Sequence, residues 1–157
     1  MLEKKKDRFA AIDLGSNNCR LIIVELHGFN YKVIHMSSEL INLGENLVYN
    51  NEFSHDKIKQ VIDFFEYAAK KIKDYRVSKY RCVATEACRQ SINSDYLVKE
   101  ILNKTRLNLE IITTYEEARL CVKSCPIYRN NEKKFDLIFD IGGGSTELIF
   151  LMENNEF

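Results

Sequence analysis

Tryptophan is absent from the 157-residue chain and proline occurs once, so neither a proline-rich linker nor a disordered tract is indicated. An excess of one charge is missing too. Lys+Arg and Asp+Glu both count 23, so no global field draws in nucleic acid or a membrane surface. A polyanion would have to be recognised by local geometry. No apolar run reaches the 18 residues of a membrane span, and the charged residues 1–8 hold no stretch of signal-peptide length. The expectation is a cytoplasmic protein with neither a nucleic-acid nor a membrane partner. The five cysteines are odd in number and form no CxxC pair, which fits reduced thiols. Cys121 and Cys125 share a face of an expected helix. His27, His35 and His55 lie far away in sequence, so core thiols are expected there rather than a metal site.

What is present is enough for one domain and the start of another: 45% apolar and 29% charged residues can build a core and keep it soluble. Residues 9–14 and 20–26 are short apolar runs around a tight polar connection, which predicts a β-hairpin, and a third strand follows at 31–36. Ser54 can cap a helix reaching about residue 74, with Ile58, Val61, Ile62, Phe65, Ala68, Ala69 and Ile72 at helical spacing. A strand at 80–85, a helix at 93–104 with Leu97, Val98, Ile101 and Leu102 inward, a strand at 109–113 and a helix at 114–125 ended by Pro126 come next. Strands are expected again at 135–141 and 147–152. Three strands followed by alternating helices and strands give a mixed sheet with helices on its faces.

One unit occurs twice. An apolar strand ends in Asp13-Leu14-Gly15-Ser16 before a second strand, and another ends in Asp140-Ile141-Gly142-Gly143-Gly144-Ser145-Thr146-Glu147. Three glycines permit positive φ and expose backbone N–H groups, and such a turn makes an anion-binding concavity. A plain hairpin needs only one glycine. The loop Gly15-Ser16-Asn17-Asn18 is ordinary turn chemistry by itself and gains weight from its twin. Asp13 and Asp140 end strands beside these loops, where a carboxylate can hold Mg²⁺ opposite phosphate or close an Asx turn.

The strings DLGSNNCRL (13–21), VATEACR (83–89), EEARL (116–120) and DIGGGSTEL (140–148), with Leu43-Gly44-Glu45 between the first two, resemble the successive signatures of the exopolyphosphatase / guanosine pentaphosphate phosphatase (Ppx/GppA) family. The resemblance implies a ribonuclease-H-like α/β fold of the actin-like ATPase superfamily, with two domains closing over phosphate. It implies release of terminal phosphate from inorganic polyphosphate or guanosine pentaphosphate, with Mg²⁺ as cofactor. Glu117 matches the family's catalytic glutamate, the expected general base, and Glu147 and Asp140 are implied to act with it. Asp13, Asp140 and Glu147 are the implied metal ligands. Gly15, Ser16, Asn17, Arg20, Arg89, Gly142, Gly143, Gly144, Ser145 and Thr146 are implied to bind phosphate.

Without the family, other readings of these residues stand. Thr114 with Glu117 forms a capping box, Glu147 is an exposed strand residue, and Arg89 is a surface arginine. Asn46 and Thr113-Thr114 depart from the family pattern without removing a group the chemistry needs. The expected division is residues 1–127 as the first domain and 128–157 as the first hairpin of a truncated second. That makes a homodimer or a separate second-domain polypeptide possible as a partner. A non-catalytic phosphate-binding remnant, one part of a split enzyme, and an ATP-using member of the superfamily remain alternatives. Alone, the chain is expected to self-associate and to show no appreciable activity.

Overall fold

The computed structural model describes residues 7–45, 47–125 and 137–150. Asn46, Pro126, the 127/128 division and the outer ends of the expected strands 135–141 and 147–152 lie outside the described residues.

Three antiparallel strands open the chain: β1 (Arg8–Leu14), β2 (Asn18–His27) and β3 (Asn30–Leu40). After the short helix α1 (Leu47–Asn50), α2 (His55–Asp74) carries the chain to β4 (Lys79–Ala84), which pairs parallel to β1. The short α3 (Glu86–Gln90) and α4 (Ser94–Thr105) lead to β5 (Leu109–Ile111), parallel to β4, and α5 (Thr114–Ser124) follows. The five-stranded sheet has the order β3-β2-β1-β4-β5. A separate antiparallel pair, β6 (Leu137–Ile141) and β7 (Thr146–Phe150), completes the described residues.

Alternation decides which side of the sheet is the core. Ala10, Ile12 and Leu14 of β1 and Cys19, Leu21 and Ile23 of β2 are buried, while their neighbours turn the other way. Ile58, Val61, Ile62, Phe64, Phe65 and Ala68 of α2 pack on that face, joined by Leu97 and Ile101 of α4. Leu102, expected inward, is exposed, because it lies off the stripe of Ser94, Leu97 and Ile101 that α4 buries. The start of α2 is fixed as expected. Ser54 Oγ accepts from the Lys57 N–H at 3.3 Å, Asp56 stands in the first turn, and Lys71 and Lys73 stand in the last, matching the helix dipole. Asn93 works differently from a cap: its side chain accepts from the Phe53 N–H and donates to the Phe53 carbonyl, both at 2.9 Å, and so ties the loop before α2 to the loop before α4.

The parallel pairing of β1 with β4 has a functional consequence. It brings the ends of both strands, Leu14 and Ala84, to the same edge, where the loop after β1 and helix α3 begin.

Candidate functional site

The loop after β1 is held from behind. Gly15 N–H donates to the Asn18 carbonyl at 2.9 Å. The Asn17 carbonyl accepts from Ile41 and Asn42 N–H, both at 2.8 Å, and the Ser16 carbonyl from Gly44 N–H at 2.9 Å. Leu43-Gly44-Glu45 is therefore the backing of this loop, and Ser16 is only 7% exposed. Asp13 and Arg20 stand opposite each other across the β1–β2 ladder. Burial pushes the Asp13 carboxyl above its ordinary range, the Arg20 charge opposes this, and the Asp140 charge adds to it.

The second hairpin repeats the bond that closes the first. Gly142 N–H donates to the Ser145 carbonyl at 2.9 Å, and Asp140 stands opposite Glu147 as Asp13 stands opposite Arg20. The units differ in charge: a like-charged pair facing across a ladder is destabilising, and it gathers negative charge that a structural hairpin has no use for.

The glycine run does not use the positive φ that three glycines allow. None of Gly142, Gly143 and Gly144 has positive φ; among the described glycines only Gly28 does, at the β2–β3 turn. What the run supplies is close approach. A Cβ on Gly143 would overlap the Asn17 carboxamide, and one on Gly144 would overlap the Ser16 hydroxyl. The two loops touch because side chains are missing from one of them.

The wall facing them is α5. Its cap is Thr113, whose Oγ1 accepts from Glu116 N–H at 3.2 Å, and not Thr114, as the rival capping-box reading has it. Glu116 faces outward, bound by Arg119 at 2.6 Å and by Arg81 at 2.9 Å, and these two guanidinium groups hold its carboxyl down at about 2. Glu117 is left free of capping duty and turns into the cleft. Burial raises its pKa, Arg89 opposes that rise, and the charges of Glu147 and Asp140 add to it.

Arg89, expected at the phosphates, lies instead behind Glu117. Its Nε and Nη2 donate to Glu86 Oε2 at 2.9 and 2.7 Å, and its Nη1 donates to the Ile112 carbonyl at 2.9 Å. Glu117 Oε2 sits 2.8 Å from Arg89 Nη2, off the direction of the N–H bonds, and makes no aligned hydrogen bond among the described residues. With these acceptors engaged, the guanidinium is not among the groups that line the cleft.

That cleft holds about 690 Å³ and is lined by Asp13, Arg20, Glu117, Asp140 and both loops, Gly15–Asn18 and Gly142–Ser145. Arg20 is the one cationic side chain among the described residues lining it. Thr146 and Glu147 are not part of the lining. Thr85, Cys121 and Ser124 are, and residue patterns did not single them out as site residues. Thr85 sits in the VATEACR string, which carried its signal; Cys121 reads in the sequence as a core thiol. Cys121 and Cys125 are half-buried because this face of α5 looks onto the cleft and β6 rather than onto a packed sheet. Desolvation and the nearby Asp140 push the Cys121 thiol up to about 12. Among the described residues no three His, Cys, Asp or Glu side chains stand together as a ready-made metal cage.

A mixed sheet of order β3-β2-β1-β4-β5, with an Asp-x-Gly loop meeting a second such loop over a cleft, defines the actin-like ATPase fold. The chain belongs to the Ppx/GppA phosphatase family, whose model matches residues 22–156. It is 32% identical to the bifunctional 3-dehydroquinate synthase/phosphatase of Fusobacterium nucleatum, over 94% of this chain and 24% of that protein. It is 29% identical to a guanosine-5'-triphosphate,3'-diphosphate pyrophosphatase of Aliivibrio fischeri, over 90% of this chain and 28% of that one. The crystal structure of the Aquifex aeolicus member of the Ppx/GppA family aligns with a TM-score of 0.80 at 28% identity, over 92% of this chain and 47% of that one. The chain thus spans from about a quarter to just under half the length of these relatives.

Proposed function

We propose that this chain forms one wall and the floor of the active site of a phosphoanhydride hydrolase. The enzyme would release the terminal phosphate of inorganic polyphosphate or of guanosine pentaphosphate. The observation that carries the reading is the convergence of Asp13, Glu117 and Asp140, from three separate elements, on a cleft floored by two touching loops.

Each part has a task that suits its chemistry. The backbone N–H groups and hydroxyls of Ser16 and Ser145 can bind phosphate oxygens, and Arg20 supplies the positive charge. Glu117 would take a proton from water as the water oxygen bonds to the terminal phosphorus. The bridging P–O bond then breaks, and the electron pair leaves with the shortened chain. A carboxylate raised by burial is a better base than a free one, so the direction of the Glu117 shift supports the role. Positioning and charge neutralisation are most of the work in such a reaction. Mg²⁺ fits the donor set. Asp13 and Asp140 offer hard oxygens, close enough that the Asp140 charge raises the proton affinity of Asp13, and Mg²⁺ uses one or two carboxylates with water and substrate phosphates rather than a full protein cage. When bound, the ion would neutralise phosphate charge; Glu147, opposite Asp140, would support that ligand.

The test uses the full-length protein and its Glu117→Gln variant, with phosphate release measured separately from polyphosphate and from guanosine pentaphosphate. The expected result is a rate about 100-fold lower or more, at a melting temperature no lower than the parent's, because Thr113 provides the cap and the Glu117 carboxyl is raised on folding. An unchanged rate would overturn the assignment. Phosphate binding without turnover by the unsubstituted protein would favour the non-catalytic reading, and preference for ATP with phosphoryl transfer to an acceptor would favour the kinase branch of the fold.

A further inference from the structure

Arg89 is shared between two carboxylates, and the sharing is unequal. Glu86 takes two aligned hydrogen bonds from it, through Nε at 2.9 Å and Nη2 at 2.7 Å, both ending on Oε2. The other oxygen of Glu86 is occupied by Gln90 Nε2 at 2.7 Å, which keeps the carboxylate from turning away. Glu117 lies 2.8 Å from the same Nη2 without an aligned bond. The guanidinium is also anchored on the Ile112 carbonyl, at the root of α5. Glu86, Arg89 and Gln90 all belong to α3, whose five residues form a bracket at the end of β4.

We propose that Glu86 is a positioning residue for the base: it fixes Arg89 so that the guanidinium steadies Glu117 by charge while leaving its carboxylate free to accept a proton. This rests on the reading of Glu117 as the base. An arginine bonded squarely to Glu117 would hold it in the ionised form and weaken it as a base. An arginine free of Glu86 would have two donors to spare, and they would close on Glu117 or swing toward the phosphates. By holding Nε and Nη2, Glu86 prevents both. The groups around Glu117 make the balance delicate: Asp140 and Glu147 add negative charge from the second hairpin, Asp13 lines the opposite side of the cleft, and Glu116, neighbouring Glu117 on α5, is already neutralised by Arg81 and Arg119. Arg89 is the one cation that touches Glu117 among the described residues.

The experiment is a double-mutant cycle in the full-length protein on polyphosphate, with Glu86→Gln, Glu117→Gln and the pair, and with Glu86→Asp alongside. Glu86→Gln should lower kcat about tenfold or more through misplacement of the base and leave KM within twofold, since Glu86 lines a neighbouring recess beside Ser16 and Gly143 and not the cleft that holds Asp13, Glu117 and Asp140. Glu86→Asp, which keeps the charge on the same helix face, should recover most of kcat. In the Glu117→Gln background Glu86→Gln should have no further effect, because it acts through the base. Additive losses, a change carried in KM, or an Asp variant as poor as the Gln variant would overturn the proposal. Should Glu86→Gln fail to fold, Glu86→Ala, alone and combined with Glu117→Gln, gives the same additivity test. If Glu117→Gln alone leaves kcat intact, the reading of the base fails, whatever Glu86 does.

Discussion

At Asp13, burial and the facing Asp140 carboxylate push the pKa upward, and Arg20 across the ladder offsets only part of this. A carboxyl whose pKa rises on folding holds its proton more tightly in the native chain. Its contribution therefore favours folding below the ordinary value of 3.8 and is lost as the pH rises through the folded value. At neutral pH Asp13 is then a cost to the fold. Asp13→Asn should raise the melting temperature measured in chelator at pH 7, and should abolish phosphate release measured with Mg²⁺. The gain should shrink as the pH is lowered and vanish below pH 3.8. A variant less stable than the parent at pH 7 would contradict the assigned electrostatics. Such a trade of stability for activity is common where a site concentrates charge. At this scale the sequence was legible unevenly. Asp13, Glu117 and Asp140 could be named because strand ends and a family string marked them. The commitment of Arg89 to Glu86 could not, because an arginine three residues from a glutamate reads equally well as a surface pair or as a phosphate ligand. Two adjacent threonines likewise left the cap ambiguous by one position, and that one position decides whether Glu116 or Glu117 is free.

Among the elements, the meeting of the two Asp-x-Gly hairpins makes the sharpest demand. Because Gly144 lacks the atom that would overlap Ser16 Oγ, Gly144→Ala should push the loops apart and cut turnover by about 100-fold, the scale expected of a shift near 1 Å. Ser16→Gly should restore part of the loss when combined with it and restore none in the parent. Gly28 is the contrasting case. It sits at φ +64 with open space where a Cβ would stand, so Gly28→Ala should cost about 1 kcal/mol of stability, with no effect on rate. Kinetics and thermal melts on these three variants separate close approach from backbone freedom. The strands and the long helices were readable because each is an apolar run or stripe with a turn signal at its end. Helix α3 was missed because five residues are too few to show a period, and β3 runs to Leu40 because its pairing with β2 carries it past its apolar stretch. Contact between residues 16–17 and 143–144 depends on the closed fold, and no local pattern records it.

For the molecule as a whole, the two sheets are unequally supported. β1, β2 and β4 are covered by α2 and α4, whereas β6 and β7 pair only with each other among the described residues and leave Phe139, Ile141, Leu148 and Phe150 exposed. A two-stranded sheet is marginal alone, and apolar surface of this kind is adhesive. In the 157-residue chain, amide exchange in β6 and β7 should run orders of magnitude faster than in β1, β2 and β4. Phe139→Ser with Leu148→Ser should reduce self-association in light scattering without altering exchange in the larger sheet. Equal protection of both sheets would show that the hairpin is covered in a way these contacts do not provide. The touching glycine loop adds a mechanical consequence. Where one of the two touching loops carries no side chains, the Ser16 and Asn17 side chains of the other rest on bare backbone, and the joint would act as a smooth fulcrum: tilting one hairpin on the other would open or narrow the cleft without first unkeying a knob from its hole.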